Sequence, residues 1–199
     1  MSVELRCLRP VDYARHIADV ARLRIEVFRA FPYLYDGDVG YEERYLATYA
    51  QSEDSVWVLA MDGERVIGAS TGLSLGDEDE AFKQPFIERG IDPQRVFYFG
   101  ESVLLPAYRG LGLGHRFFDA REAHARALGR FDWTAFAAVD RAADDPRRPA
   151  DHRDNDAFWA KRGYGRQPGM GFRLSWKELG EAKESDKPLT YWLRALEAG

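Results

Sequence analysis

The spacing of apolar positions along the chain changes several times, and each change marks an element. Residues 3–9 alternate with Val3, Leu5 and Cys7 on one face, which predicts a strand. Pro10 and Asp12 then open a helix whose apolar positions Ile17, Val20, Leu23, Val27, Phe28 and Phe31 follow the 3.6-residue period until Pro32 stops it. A second helix is expected over 41–49. Residues 55–61 and 65–73 read as two strands joined by Asp62-Gly63, a strong hairpin signal. An acidic loop, Asp77-Glu78-Asp79-Glu80, leads to a short helix near 82–89. Residues 96–105 are apolar on both faces, as a strand in the middle of a sheet requires, and Pro106 ends them. Leu113, Phe117, Ala120 and Leu128 place a helix over 113–128. Residues 133–139 form another buried strand, 155–162 a short helix, and 170–176 a strand with Phe172, Leu174 and Trp176 on one face. The tail, with Leu189, Trp192, Leu193 and Leu196 on one stripe, reads as a C-terminal helix about 188–198 that could pack on a partner. This order predicts a mixed α/β sheet with helices on both faces, in a single domain over 1–199.

Composition narrows the partners. The 199 residues are 45% apolar and 31% charged, within the range of one globular domain, and the net charge of −5 gives no bulk electrostatic case for a nucleic acid. One cysteine, Cys7, makes no internal disulfide. No 18-residue apolar run or charged-then-apolar leader is present, so a cytoplasmic, soluble chain without a membrane partner is expected. His16, His115, His124 and His152 share no ligand spacing, and no metal is expected.

Between the central strand and the helix at 113 lies Tyr108-Arg109-Gly110-Leu111-Gly112-Leu113-Gly114. A helix start leaves amide groups without intrahelical partners and carries about half a positive charge, and glycines let such amides converge on an anion. A diphosphate fits this device. The dinucleotide fingerprint fails at His115 and Phe117, and the phosphate loop of nucleotide triphosphatases fails at His115-Arg116. The pattern that does fit is Arg-x-x-Gly-x-Gly, carried by Arg109, Gly112 and Gly114. With the run Leu104-Leu105-Pro106-Ala107-Tyr108 before it and Phe158-Trp159-Ala160-Lys161-Arg162-Gly163-Tyr164 downstream, the chain resembles the GCN5-related N-acetyltransferases, the GNAT superfamily.

That resemblance implies a GNAT-like, mostly antiparallel central sheet and acetyl-CoA as co-substrate, with transfer of an acetyl group to a primary amine by direct attack on the thioester. Arg109, Gly110, Leu111, Gly112, Leu113 and Gly114 would cradle the diphosphate; the backbone of Val103, Leu104 and Leu105 would bind the pantetheine arm. Such chemistry needs a group to take the amine proton and amides to hold the oxyanion. Glu101, the one carboxylate of its strand, is the candidate base. The period-two pattern places it with Phe97, Phe99, Val103 and Leu105, among apolar neighbours that raise a carboxyl pKa. The family often has this glutamate about one residue earlier, where Gly100 stands here. Trp159 occupies the place of a tyrosine that protonates the thiolate in many members, and indole cannot do so. Tyr164 and Tyr98 are the substitutes. Near the usual asparagine position stand His152 and Asn155, and Asn155 is taken as a cofactor contact. Arg116, Arg121, Lys161, Arg162 and Arg166 are candidates for the 3′-phosphate.

The acceptor site in the family involves the loop between the first two helices. Here that loop offers Tyr33, Tyr35, Asp36 and Asp38, followed by Glu42 and Glu43, an aromatic and acidic wall that would favour a cationic small-molecule amine. Family members are often dimers, so a homodimer is the expected assembly. Two alternatives stay open: an acyl-CoA-binding sensor or regulatory module without turnover, and a protein N-acetyltransferase.

Overall fold

The computed structural model describes residues 3–197. Strands β1 (Val3–Leu8), β2 (Val56–Asp62) and β3 (Arg65–Ser74) form an antiparallel meander, with the Asp62-Gly63 turn where the sequence places it. Helices α1 (Ile17–Phe28) and α2 (Val39–Thr48) cross between β1 and β2; α3 (Glu80–Ile87) follows β3. The central segment is two short strands, β4 (Val96–Tyr98) and β5 (Ser102–Leu104). Then come α4 (Leu113–Leu128), β6 (Trp133–Val139), α5 (Asp156–Lys161), β7 (Gly165–Trp176) and β8 (Ser185–Ala195). The sheet order is β1-β2-β3-β4-β6-β8-β7, with β5 also paired to β3, and among the described residues only β4 and β6 run parallel. The fold is thus the expected mixed α/β sheet, mostly antiparallel, with helices on both faces.

The expected C-terminal helix over 188–198 is a strand through Ala195; Ala198 lies outside the described residues. The stripe of Leu189, Trp192, Leu193 and Leu196 fits a helix, but a short apolar run fits either period, and placement between β6 and β7 buries both faces of β8. Tyr191 packs on Phe86 on one face, while Trp192 packs on Phe136 and Trp159 on the other. Trp192 is 5% exposed and so is not a docking residue. β7 starts at Gly165, earlier than expected, because Gly165 and Arg166 already pair with Leu193 and Trp192 ahead of an irregularity that ends at Gly171.

A candidate active site where the sheet splits

The break between β4 and β5 organises the site. β4 pairs with β3 through Leu73 opposite Tyr98, whereas β5 pairs through Ser70 opposite Ser102, so the register moves by one residue. Gly100 donates its amide to the Thr71 carbonyl, and the Glu101 carbonyl accepts from the Thr71 amide: two residues stand opposite one, a β-bulge. β6 follows β4 only as far as Ala135, whose carbonyl accepts from Phe99 at 2.8 Å, and β5 then diverges from it. A gap opens between β5 and β6.

The ladder shows which main-chain groups face that gap. Leu105 donates to the Ile67 carbonyl, so by the alternation of an antiparallel pair Val103 turns to Ala69, and Ser102 and Leu104 turn their amides away from β3. Of Val103, Leu104 and Leu105, Leu104 alone therefore presents its amide to the gap. Ser102 is the second such residue, and sequence reading missed it because the bulge sets the phase.

The bulge also decides the face of Glu101. Phe97 and Phe99 pack against α4 and its flank, on His124 and Phe118 respectively. Glu101 points the other way, to an ion pair with Arg24 of α1 at 2.6 Å. It shares a face with Val103 and Leu105, and the expected company of Phe97 and Phe99 is corrected by the extra residue. Gly100 faces the same side as Glu101. A Cβ there would lie 2.2 Å from Tyr49 Oη and 2.7 Å from Thr71 Oγ1, so no side chain fits.

Arg24 joins Glu101 to Glu42 of α2, and its guanidinium lies over the Tyr45 and Phe28 rings. Glu101 is 6% exposed and its Oε1 has no hydrogen-bond partner. Burial raises its pKa above the usual carboxylate range, against the pull of Arg24. With both carboxylates ionised the Glu42–Arg24–Glu101 group carries one net negative charge. Around it lie Tyr45 and Tyr49, whose hydroxyls are 3.2 Å apart, and Tyr33, whose phenol burial raises while Arg24 opposes. Glu78, just beyond β3, is pushed up to about 7 by burial first, then by Asp79 and Glu101.

The loop after α1 divides its predicted residues. Tyr33 packs against Phe28 and Trp176, and the phenol pKa of Tyr35 is raised by burial and then by Glu42. Asp38 instead caps α2 by accepting from the Tyr41 amide at 2.8 Å, and Asp36 pairs with Lys177. Their carboxylates are committed elsewhere. Glu42, expected in that wall, is the acid that pairs with Arg24, while Glu78, which the sequence showed only as a member of an acidic run, feels the charge of Glu101.

The glycine loop sits at the end of β5. Gly110 (φ 78°) and Gly112 (φ 74°) adopt the left-handed region, with open space where a Cβ would stand. Leu111 is 61% exposed at the tip. α4 begins at Leu113, so the first amides of that helix, Leu113 and Gly114 included, have no intrahelical acceptor. Gly114 packs beside the Phe158 ring of α5, where a Cβ would stand in ordinary contact at 3.4 Å. Arg109 is exposed and donates from Nε to the Leu104 carbonyl at 3.4 Å. Asn155 is the exposed N-cap of α5, and its side chain makes no capping bond. Of the basic candidates, Arg162 is held by Asp119 and Glu122, Arg166 by Asp140, and Arg116 reaches the Val3 carbonyl. Arg121 is buried, while Lys161 has no ion-pair partner among the described residues.

Trp159 packs 5.0 Å from Phe136 and 5.1 Å from Trp192. Tyr164 donates to Glu122 and meets Thr134 on the α4 side of the sheet, so its hydroxyl is engaged away from Glu101. Tyr98, next to Phe82 and Tyr191, lies on the face of Glu101. His152 packs edge-on against Phe31.

A split between two central strands, a glycine loop opening a helix and a buried carboxylate at the bulge occur here together. A sequence model of the acetyltransferase (GNAT) family matches residues 20–164. The chain belongs to the acetyltransferase (GNAT) family. No curated protein matches it by sequence. Among solved structures, an N-acetyltransferase from Staphylococcus aureus Mu50 superposes with a TM-score of 0.62 at 10% identity, covering 99% of this chain and 100% of that one. The acetyltransferase yncA from Salmonella typhimurium, solved with its cofactor acetyl-CoA, gives 0.61 at 11% identity over 100% and 96% of the two chains. NAA60 from Arabidopsis thaliana, in complex with a bisubstrate analogue, gives 0.62 at 13% identity over the full length of both. At these identities the likeness is one of fold: this GNAT chain shares the layout of sheet and helices with all three. Among its described residues, no group of three or more His, Cys, Asp or Glu side chains is arranged to hold a metal ion, and no helix is long and apolar enough to cross a membrane.

Proposed function

We propose that this GNAT protein is an acetyl-CoA-dependent N-acetyltransferase whose acceptor is a small molecule bearing a primary amine. The observation that carries the reading is Glu101: a buried carboxylate at the bulge, with one oxygen held by Arg24 and the other unpartnered. Acetyl-CoA would supply an acyl group activated as a thioester. Its diphosphate suits the glycine loop and the first amides of α4, its pantetheine arm suits the free amide of Leu104, which would take it up as an added strand, and the free amide of Ser102 is left for the thioester carbonyl. Glu101 would accept the proton of the incoming ammonium through Oε1. A carboxyl with a raised pKa is a better match to that task than an ordinary glutamate. The net negative charge of Glu42, Arg24 and Glu101, reinforced by Glu78, would draw a cationic amine, and the Tyr33, Tyr45 and Tyr49 rings would wall it.

Support for a small acceptor over a peptide comes from the loops. The β7–β8 loop is sewn to the loop after α1: Asp36 donates its amide to the Lys177 carbonyl at 2.9 Å and Leu179 to the Leu34 carbonyl at 2.8 Å. Trp176 Nε1 adds a bond to the Tyr33 carbonyl, and Arg141 another to Pro32. An extended peptide would have to displace this seam. The test is acetyl-CoA-dependent thiol release against polyamines, amino acids, aminoglycosides, arylalkylamines and short peptides. Turnover confined to small amines is the expected result. Peptide turnover would replace the acceptor, and silence with acetyl-CoA bound would favour a sensor.

A further inference from the structure

Arg121 lies on α4 beneath the bulge, 1% exposed, with no carboxylate within ion-pair distance among the described residues. Its guanidinium is instead spent on main-chain carbonyls. Nη1 donates to Thr71 at 3.2 Å and to Glu101 at 3.4 Å, and Nε donates to Phe117. The charge sits 4.0 Å from the centre of the Phe99 ring, and Nη2 is buried without a partner. Burial lowers its pKa to about 10, which leaves it charged at neutral pH. An arginine buried this way is costly, and an apolar side chain of similar length would pack there without the cost of desolvating a charge.

The place of that charge suggests its use. A peptide unit is planar and trans, so the Glu101 carbonyl and the Ser102 amide point in opposite directions from one plane. The carbonyl points to β3, where it accepts from Thr71 and Arg121, and the amide points into the gap. Hydrogen bonds polarise one another along such a chain, so a cation on the carbonyl makes the amide a stronger donor. We propose that Arg121 is a positioning residue for the transfer reaction: it fixes the bulge peptide from behind and strengthens the Ser102 amide as donor to the thioester carbonyl oxygen. The inference rests on the acetyltransferase reading above. From bond cooperativity and a unit charge acting across the peptide, it contributes about 10- to 50-fold to kcat, with little effect on acetyl-CoA affinity.

The experiment is difference infrared spectroscopy of acetyl-CoA carrying a 13C-labelled carbonyl, bound to wild type, Arg121→Gln and Arg121→Lys, with calorimetric affinities and kcat measured alongside. Wild type should shift the carbonyl stretch to lower frequency, Arg121→Lys should keep much of that shift, and Arg121→Gln should lose most of it together with kcat. An equal shift in wild type and Arg121→Gln, or a loss in Arg121→Lys as complete as in Arg121→Gln, would overturn the proposal. Should Arg121→Gln fail to fold, the lysine variant alone decides, because retained charge must retain the shift. Failure of wild type to bind acetyl-CoA would instead overturn the acetyltransferase reading.

Discussion

Replacing Arg24 by Gln removes the one cation between Glu42 and Glu101, two carboxylates that are 1% and 6% exposed. Arg24 and Glu101 are in direct contact at 2.6 Å. With charge centres about 4 Å apart and an effective dielectric near 20, their attraction is about 4 kcal/mol, or about 3 pK units on Glu101. Local rearrangement in the variant reduces this, so a rise of about 1–2 units is expected, on top of the upward displacement that burial already produces. The sign follows from the base role. Glu101 must be ionised to take a proton, so the acid limb of kcat/KM against pH moves to higher pH while the alkaline plateau changes little. Stability moves in the same sense. A carboxyl whose folded pKa lies above its unfolded value is most stabilising below the unfolded pKa and loses that contribution as pH rises through the folded one. Arg24→Gln should therefore melt closer to wild type at pH 5 than at pH 8. The assays are a pH–rate profile between pH 5 and 10 and thermal melts at its two ends. An unmoved acid limb, in a variant that still folds, would refute the assignment of that limb to Glu101.

Three further outcomes follow from the same geometry. Gly112→Ala forces a Cβ at φ 74°, which should cost about 1–2 kcal/mol in denaturant melts and weaken acetyl-CoA binding in calorimetry. Tyr164→Phe takes a donor from the buried Glu122 carboxylate and should cost about 1.5–3 kcal/mol of stability; because that hydroxyl lies on the α4 side, kcat should stay within about 3-fold of wild type. Glu78, held near 7, destabilises the folded protein as pH rises from the ordinary carboxylate range through neutrality, so Glu78→Gln should flatten that part of the stability profile and raise KM for a cationic amine about 10-fold.

The sequence made legible what depends on local pattern. The Asp62-Gly63 hairpin, the amphipathic α4 and the glycine loop all follow from residues adjacent in the chain, and each lies where its letters place it; α1 keeps its apolar stripe but runs only Ile17–Phe28, because Pro10–Arg15 wind as a separate 3-10 helix and the chain leaves the helix before Phe31. The tail did not, because Leu189, Trp192, Leu193 and Leu196 satisfy a helical stripe and a two-sided strand equally; only the vacancy between β6 and β7 decides. The bulge at Gly100 and Glu101 was hidden for a related reason: residues 96–105, apolar at both ends, look like one continuous strand, and the extra residue shows only against Thr71. That single residue moves Glu101 off the Phe97 and Phe99 face and turns the Ser102 amide into the gap. The acceptor side was least legible. Asp36 and Asp38 have the composition of a cation site, but capping and an ion pair with Lys177 claim them, while Arg24, Glu42 and Glu78 converge from three separate segments.

The central claim, that a glutamate at the bulge takes the amine proton, is tested most directly with Glu101→Gln, an uncharged side chain of the same shape. Acetyl-CoA affinity is measured by calorimetry and turnover by thiol release with the best amine of the panel. Unchanged affinity with kcat/KM reduced about 10²- to 10⁴-fold is the predicted result. Turnover within about 3-fold of wild type, at unchanged affinity, would contradict it.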